Sequence, residues 1–197
     1  MIMEAAISYA ADFGLENVST KKIAETIPIS EGSIFHNFPN KKALLVHCLH
    51  YIDSILNEAL ESVPSCGTSL YQYMTALWYT YFKFLVSHRN YNKFYLQFCR
   101  SSYYKEETRT APHASYPFFQ KITQNNMRLL GLDPDLIWQY LIDTSRCFAL
   151  QIADGTLPDT PETYDIVFHL LTHGILPHQE RSNHSRSDLS QEINHSV

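Results

Sequence analysis

Between Ser69 and Ser87 the chain leaves almost no polar face that a helix could turn towards water. Leu70, Met74, Leu77, Trp78, Tyr81 and Leu85 recur at helical spacing on one side, and Tyr71, Tyr73, Tyr79, Phe82 and Phe84 fill much of the rest. A helix that is apolar on most sides must be surrounded by others, so this segment predicts the centre of a many-helix body. The composition agrees. Only 6 of 197 residues are glycine, 45% are apolar and 18% charged, which is enough to bury a real core. Strand-type alternation is scarce. The expected fold class is all-α, with about nine helices.

The punctuation of the other helices can be read directly. Met3, Ile7, Ala10 and Ala11 place one apolar face on a helix from Ile2 to Phe13, which Gly14 ends. Ser19 is placed to cap a second short helix through Lys21, Lys22, Ile23 and Ala24, and Pro28 stops it. Ser30 is placed to cap a third, Glu31 to Asn37, closed by Phe38-Pro39-Asn40. A long helix follows from near Lys41 to about Leu60 and breaks at Cys66-Gly67. Beyond the aromatic helix, further helices are expected over residues 92–102, 116–130, 135–153 and 161–174, with Gly131-Leu132-Asp133-Pro134 as a stop and restart. Residues 178–197 carry Ser, Asn, His and charge without periodicity and are expected to be a disordered tail. The implied domains are a head over 1–46, a body over 47–177 and that tail.

No stretch approaches the roughly 20 uncharged apolar residues of a membrane span, and no basic segment leads into an apolar export signal. Cys48, Cys66, Cys99 and Cys147 lie far apart with no C-x-x-C, which reads as reduced thiols in a cytoplasmic protein. An enzyme finds no support in a Gly-rich phosphate loop, a G-x-S-x-G elbow or an H-E-x-x-H. His47 and His50, and His169 and His173, have spacings at which two imidazoles can share a metal. Without an evident third ligand they are better read as packing or surface residues. No cofactor and no metal are expected. A net charge of −5 excludes a general nucleic-acid coat but leaves room for a sequence reader with a small local face.

Three short helices, the second and third only a few residues apart, form a helix-turn-helix candidate. The third would enter the major groove, while helix starts at Ser19-Thr20-Lys21, Ser30-Glu31-Gly32-Ser33 and Lys41 would hold phosphates. Ile2-Met3-Glu4-Ala5-Ala6, Gly14, Ile23-Ala24-Glu25, the run from Ser30 to Lys41 and Leu44-Leu45 resemble the tetracycline-repressor (TetR) family of regulators, over about the first 45 residues. The resemblance implies that Thr20, Lys21, Ser33, His36 and Lys41 match positions that touch DNA, and that Ile23, Ala24, Ile29, Ile34 and Phe38 form the head's core. Ser30, Gly32 and Phe35 complete the candidate DNA-contacting set. Capping alone would also explain Ser19 and Ser30.

The block departs from the family at three positions. Pro28 stands where glycine is usual in the turn, Phe35 where a tyrosine is usual and Glu31 where a basic residue is common. The chain also starts directly at the first helix, without the usual basic lead-in. Residues 1–50 carry four lysines against five acids, so the head is net −1.

The implied function is a ligand-responsive transcriptional regulator, expected to be a repressor, that binds a palindromic double-stranded DNA operator as a homodimer. A small-molecule effector would be lined by Trp78, Tyr81, Phe82, Phe98, Phe119, Trp138 and Arg146, with Gln97, Arg100 and Gln124 as further polar candidates. Arg146 would pair with Asp143 or bind an anionic ligand. The plain alternative for the aromatic residues is ordinary core. Tyr140, Phe148, Ile152, Tyr164, Phe168 and Leu171, on the two last helices, would form the dimer interface. The competing reading is a helical ligand-binding or interaction protein that has lost operator binding; Glu31, Phe35 and the missing basic lead-in favour it, and the order of the head motif and Lys41 oppose it.

Overall fold

The computed structural model describes residues 1–64, 69–104 and 134–173. Among them are eight α-helices, one short 3-10 turn and no strand. Contacts divide the chain into two units, Met1–Pro158 and Asp159–Val197. The helices expected over 116–130 and the tail over 178–197 lie outside the described residues, as does the break at Cys66-Gly67.

Helix α1 (Ile2–Phe13) buries Ala6, Ile7, Ala10 and Ala11 and ends at Gly14, whose φ of 92° suits glycine. The 3-10 turn Leu15–Asn17 leads to α2 (Thr20–Thr26), where Ser19 Oγ accepts from the Lys22 amide at 3.2 Å. Pro28 then holds Ile27 extended, and the Ile29 amide donates to the Ile27 carbonyl at 2.8 Å. That three-residue turn needs no left-handed residue, which is how proline replaces the usual glycine.

Helix α3 (Glu31–Asn37) is capped by Ser30, and α4 (Lys41–Glu61) by Asn40, whose Oδ1 accepts from the Ala43 amide at 2.8 Å. Ser69 and Gln72 form a reciprocal capping box at the start of α5 (Leu70–Ser87). Helix α6 (Arg89–Cys99) starts three residues before the expected Asn92, directly after His88. Helix α7 spans Pro134–Ala153.

Within Met1–Pro158, α1 packs on α6 and α4, and α5 packs on α7 and α4. The head does not close its own core. Ile7, Ala10, Leu15, Ile23, Ile34, Phe38, Leu45 and Leu49 share one buried cluster with Phe94, Tyr95 and Phe98 of α6. The expected boundary after residue 46 falls inside α4, which runs on unbroken to Glu61. In the second unit, α8 (Pro161–His173) buries Thr163, Val167 and Leu171 at four-residue spacing, and Thr160 Oγ1 accepts from the Thr163 amide at 3.3 Å. Among the described residues no helix is long and apolar enough to cross a membrane.

Candidate nucleic-acid interface

Helix α3 divides its residues cleanly. Ile34 is fully buried and Phe38, just beyond the helix, is buried with it, while Glu31, Gly32, Ser33, Phe35, His36 and Asn37 are all exposed. From α2, Ile23 enters the core and Lys21 stays in water, with Thr20 half-buried. The structure therefore brings Thr20, Lys21, Ser30, Gly32, Ser33, Phe35 and His36 to the surface of the two helix-turn-helix elements.

Local hydrogen bonds fix the detail. Ser30 Oγ accepts from the Ser33 amide at 3.2 Å and lies 2.9 Å from Ser33 Oγ, so both serines act in the cap. Asn37 Nδ2 donates to the Ser33 carbonyl at 2.7 Å. A Cβ on Gly32 would meet nothing nearer than Ser30 Oγ at 3.8 Å, so packing within the chain does not demand glycine there. Phe35 projects an exposed ring with no hydroxyl for a phosphate.

Two of the expected phosphate contacts are engaged inside the protein. Thr20 Oγ1 donates to Glu31 Oε1 at 2.7 Å, joining the first residues of α2 and α3. Lys41 Nζ donates to the Glu16 carbonyl at 2.6 Å, lies 4.0 Å from Glu16 Oε2 and stands over the Tyr103 ring. Tyr103 Oη donates towards Glu16 Oε2 at 3.5 Å.

Sequence reasoning missed how the head is tied to α6. The Leu15 amide donates to Gln97 Oε1 at 2.8 Å. Tyr51 Oη, on α4, donates to Glu4 Oε1 at 2.6 Å, and Tyr91 Oη, on α6, donates to the same oxygen. The hydrogen bond to Glu4 and burial both push the Tyr51 hydroxyl up, and burial leads the rise at Tyr91. Beside them burial, with Glu4 adding to it, pushes the Cys48 thiol up to about 12. A cleft of about 480 Å³ opens at this junction, lined by Leu15, Glu16, Lys93, Leu96, Gln97 and Arg100 among others.

The expected effector residues separate. Phe98 is fully buried in the cluster that joins α6 to the head. Trp78 stacks on Phe82 with ring centroids 4.7 Å apart, and its Nε1 donates to Ser145 Oγ at 3.2 Å. Arg146 is buried, with its guanidinium 3.6 Å from the Tyr95 ring centroid and 5.8 Å from that of Tyr81. Its Nη1 donates to Asn92 Oδ1 at 3.4 Å, and its carbonyl accepts from Asn92 Nδ2 at 3.0 Å. Burial raises the Tyr81 and Tyr95 hydroxyls against the opposing pull of Arg146, and the buried Asp53 acts on both. The body thus has a buried polar cluster whose members Asp53 and Asn92 periodicity could not reveal. Phe119 and the side chain of Trp138 lie outside the described residues.

Of the expected interface residues, Tyr140 is half-exposed and Phe148, Tyr164 and Phe168 are partly buried. Ile152 and Leu171 are buried within the single chain. Among the described residues the large exposed apolar side chains on these two helices are Leu136, Tyr140 and Ile166. Among the described residues no three His, Cys, Asp or Glu side chains gather as a metal site.

Residues 2–48 match the family described as bacterial regulatory proteins, tetR family. No curated protein matches the sequence. Solved structures with a similar fold include a TetR family transcription regulator from Marinobacter aquaeolei VT8, with TM-score 0.78 and 17% identity over 86% of this chain and 91% of that one. A second is the transcriptional regulator FadR from Bacillus subtilis in complex with stearoyl-CoA, with TM-score 0.68 and 19% identity over 89% of this chain and 98% of that one. The helix-turn-helix head over residues 2–48 is that of a DNA-binding bacterial regulatory protein. Over residues 2–48 the chain carries the helix-turn-helix head of the tetR family of bacterial regulatory proteins, and the chain shares the fold of solved TetR family regulators.

Proposed function

We propose that the protein is a cytoplasmic, ligand-responsive repressor that binds a palindromic operator as a homodimer. The observation that carries the reading is the division of α3, which buries Ile34 and leaves Gly32, Ser33, Phe35 and His36 on the surface. A helix held from behind by its core, with small and polar side chains such as Ser33 and His36 in front, is what the major groove accepts. In this reading the head, residues 1–46, reads DNA, with Lys21 and Lys41 on phosphates and His36 on a base edge. The body, residues 47–177, senses the effector and holds the dimer. One short helix makes few base contacts, so two heads spaced about one helical turn apart supply the specificity.

The effector proposed is small and largely apolar, taken up among the body helices near Trp78, Tyr81, Phe82 and Arg146. The complex of the Bacillus subtilis FadR with stearoyl-CoA makes acyl thioesters the first class to try. Helix α6 supports a route for the signal, because Phe94 and Phe98 belong to the head's own core. An effector that favours one position of α6 would favour one spacing of the heads, and only that difference in affinity changes DNA binding.

Footprinting on the DNA flanking the protein's own gene, with and without long-chain acyl-CoA, tests the reading. A two-fold symmetric protected site, lost or gained with the effector, is expected. The alternative of a body without operator binding draws support from the Thr20–Glu31 hydrogen bond, which occupies a group meant for phosphate. It predicts no protection at any salt concentration.

A further inference from the structure

Glu31 opens α3 on the same exposed surface as Gly32, Ser33 and His36, where an acid repels the DNA backbone. Its geometry gives it another use. Thr20 Oγ1 donates to Glu31 Oε1 at 2.7 Å, so the carboxylate is held from the start of α2. A threonine hydroxyl has one proton to donate. Thr20 therefore cannot donate to a phosphate while it holds Glu31. Among the described residues no ion pair to Glu31 is seen, and the residue is exposed.

An ionised carboxylate only accepts hydrogen bonds. On duplex DNA the donors it can meet in the major groove are the amino groups of cytosine N4 and adenine N6. Adenine places the acceptor N7 beside N6, where it repels a second carboxylate oxygen. The major-groove edge of cytosine carries no such acceptor. We propose that Glu31 reads a cytosine in each half-site, and that Thr20 is the positioning residue that aims its carboxylate. The inference rests on the operator-binding role proposed above and adds a base-reading residue to it.

Selection from a randomised duplex library by the full-length protein and by Glu31→Gln and Thr20→Val tests it. Glu31 is exposed and Thr20 half-buried, and circular dichroism checks the fold of each variant. The unaltered protein should enrich a site with cytosine at one position per half. Glu31→Gln should shift that position to adenine, because an amide both donates and accepts, with roughly a tenfold loss of preference for cytosine and no change elsewhere. Thr20→Val should keep cytosine but discriminate less sharply. Unchanged cytosine preference in Glu31→Gln, or equal relaxation at every position, overturns the inference while the operator reading stands, and makes Glu31 a strut between helices. Undiminished discrimination in Thr20→Val overturns the positioning role. If the unaltered protein enriches no sequence, the operator reading falls and takes this inference with it.

Discussion

The ammonium of Lys41 lies 2.6 Å from the backbone carbonyl oxygen of Glu16, under the ring of Tyr103. A residue at the start of α4, a turn after α1 and an aromatic residue just past α6 thus meet at one point. In the proposed complex Lys41 exchanges this carbonyl for a phosphate oxygen. Lys41→Ala should weaken DNA binding across all sequences and flatten the slope of log affinity against log salt by about one. Its cost to folding should stay below about 1 kcal/mol, since the contact is partly in water. Affinity titrations at four salt concentrations check this, and an unchanged slope would remove Lys41 from the phosphate contacts.

Arg146 is the largest fully buried side chain among the described residues. Its charge acts on the Tyr81 and Tyr95 hydroxyls together with that of the buried Asp53. Arg146→Ala should destabilise the protein by about 3–5 kcal/mol, because it removes both a guanidinium stacked on Tyr95 and the buried positive charge that opposes Asp53 at Tyr81 and Tyr95. Joint replacement by Asp53→Leu and Arg146→Met should recover most of that loss. Denaturant melts decide it. Equal loss in the single and joint variants would show that shape, not charge, governs the cluster.

Much of the head was legible in the sequence, because its helices carry their own punctuation. Ser19 and Ser30 cap where the serines predict, Pro28 stops α2, and Ile23 and Ile34 turn inward. What could not be read is which partner a buried face meets. Phe98 lies at helical spacing on an apolar face whether it lines a cavity or seals the head, and only the fold assigns it to the head. The early start of α6 was hidden for a related reason. His88 joins α5 to α6 with neither glycine nor proline, and no side chain caps the new helix. Glu4 with Tyr51 and Tyr91, and Asn92 with Arg146, are contacts between distant segments that no local spacing encodes.

The buried Cys48 thiol, raised from 9.0 to about 12, should react with iodoacetamide at pH 8 at least a hundredfold more slowly than the exposed Cys147, as followed by peptide mass spectrometry. The same shift has a consequence for stability. An acid whose folded value is raised stays neutral in the native state while its unfolded counterpart ionises. Its contribution is full below pH 9 and falls as pH rises towards 12. Alkaline melts should show this decline, and Cys48→Ala should reduce its slope. Rapid native-state alkylation of Cys48 would contradict its burial.

Tyr140 on α7 and, in the other unit, Ile166 on α8 are large, exposed and apolar, and each is a candidate for cover by a second copy in the proposed homodimer. Tyr140→Glu with Ile166→Glu should convert a homodimer to a folded monomer in light scattering, because charges cannot be buried unpaired at an interface. Leu171→Glu is a different experiment, since that residue is core and its replacement should lower stability first. A dimer that survives the Tyr140 and Ile166 changes would place the interface elsewhere.

The central claim is that the exposed face of α3 reads a DNA sequence. Fluorescence anisotropy at about 0.15 M salt, comparing a duplex from the flank of the protein's own gene with a scrambled duplex of equal length and composition, tests it most directly. The account predicts at least a thousandfold tighter binding to the flanking site, with that preference reduced by His36→Ala while binding to the scrambled duplex is unchanged. Equal affinity for the two duplexes at every salt concentration would contradict it.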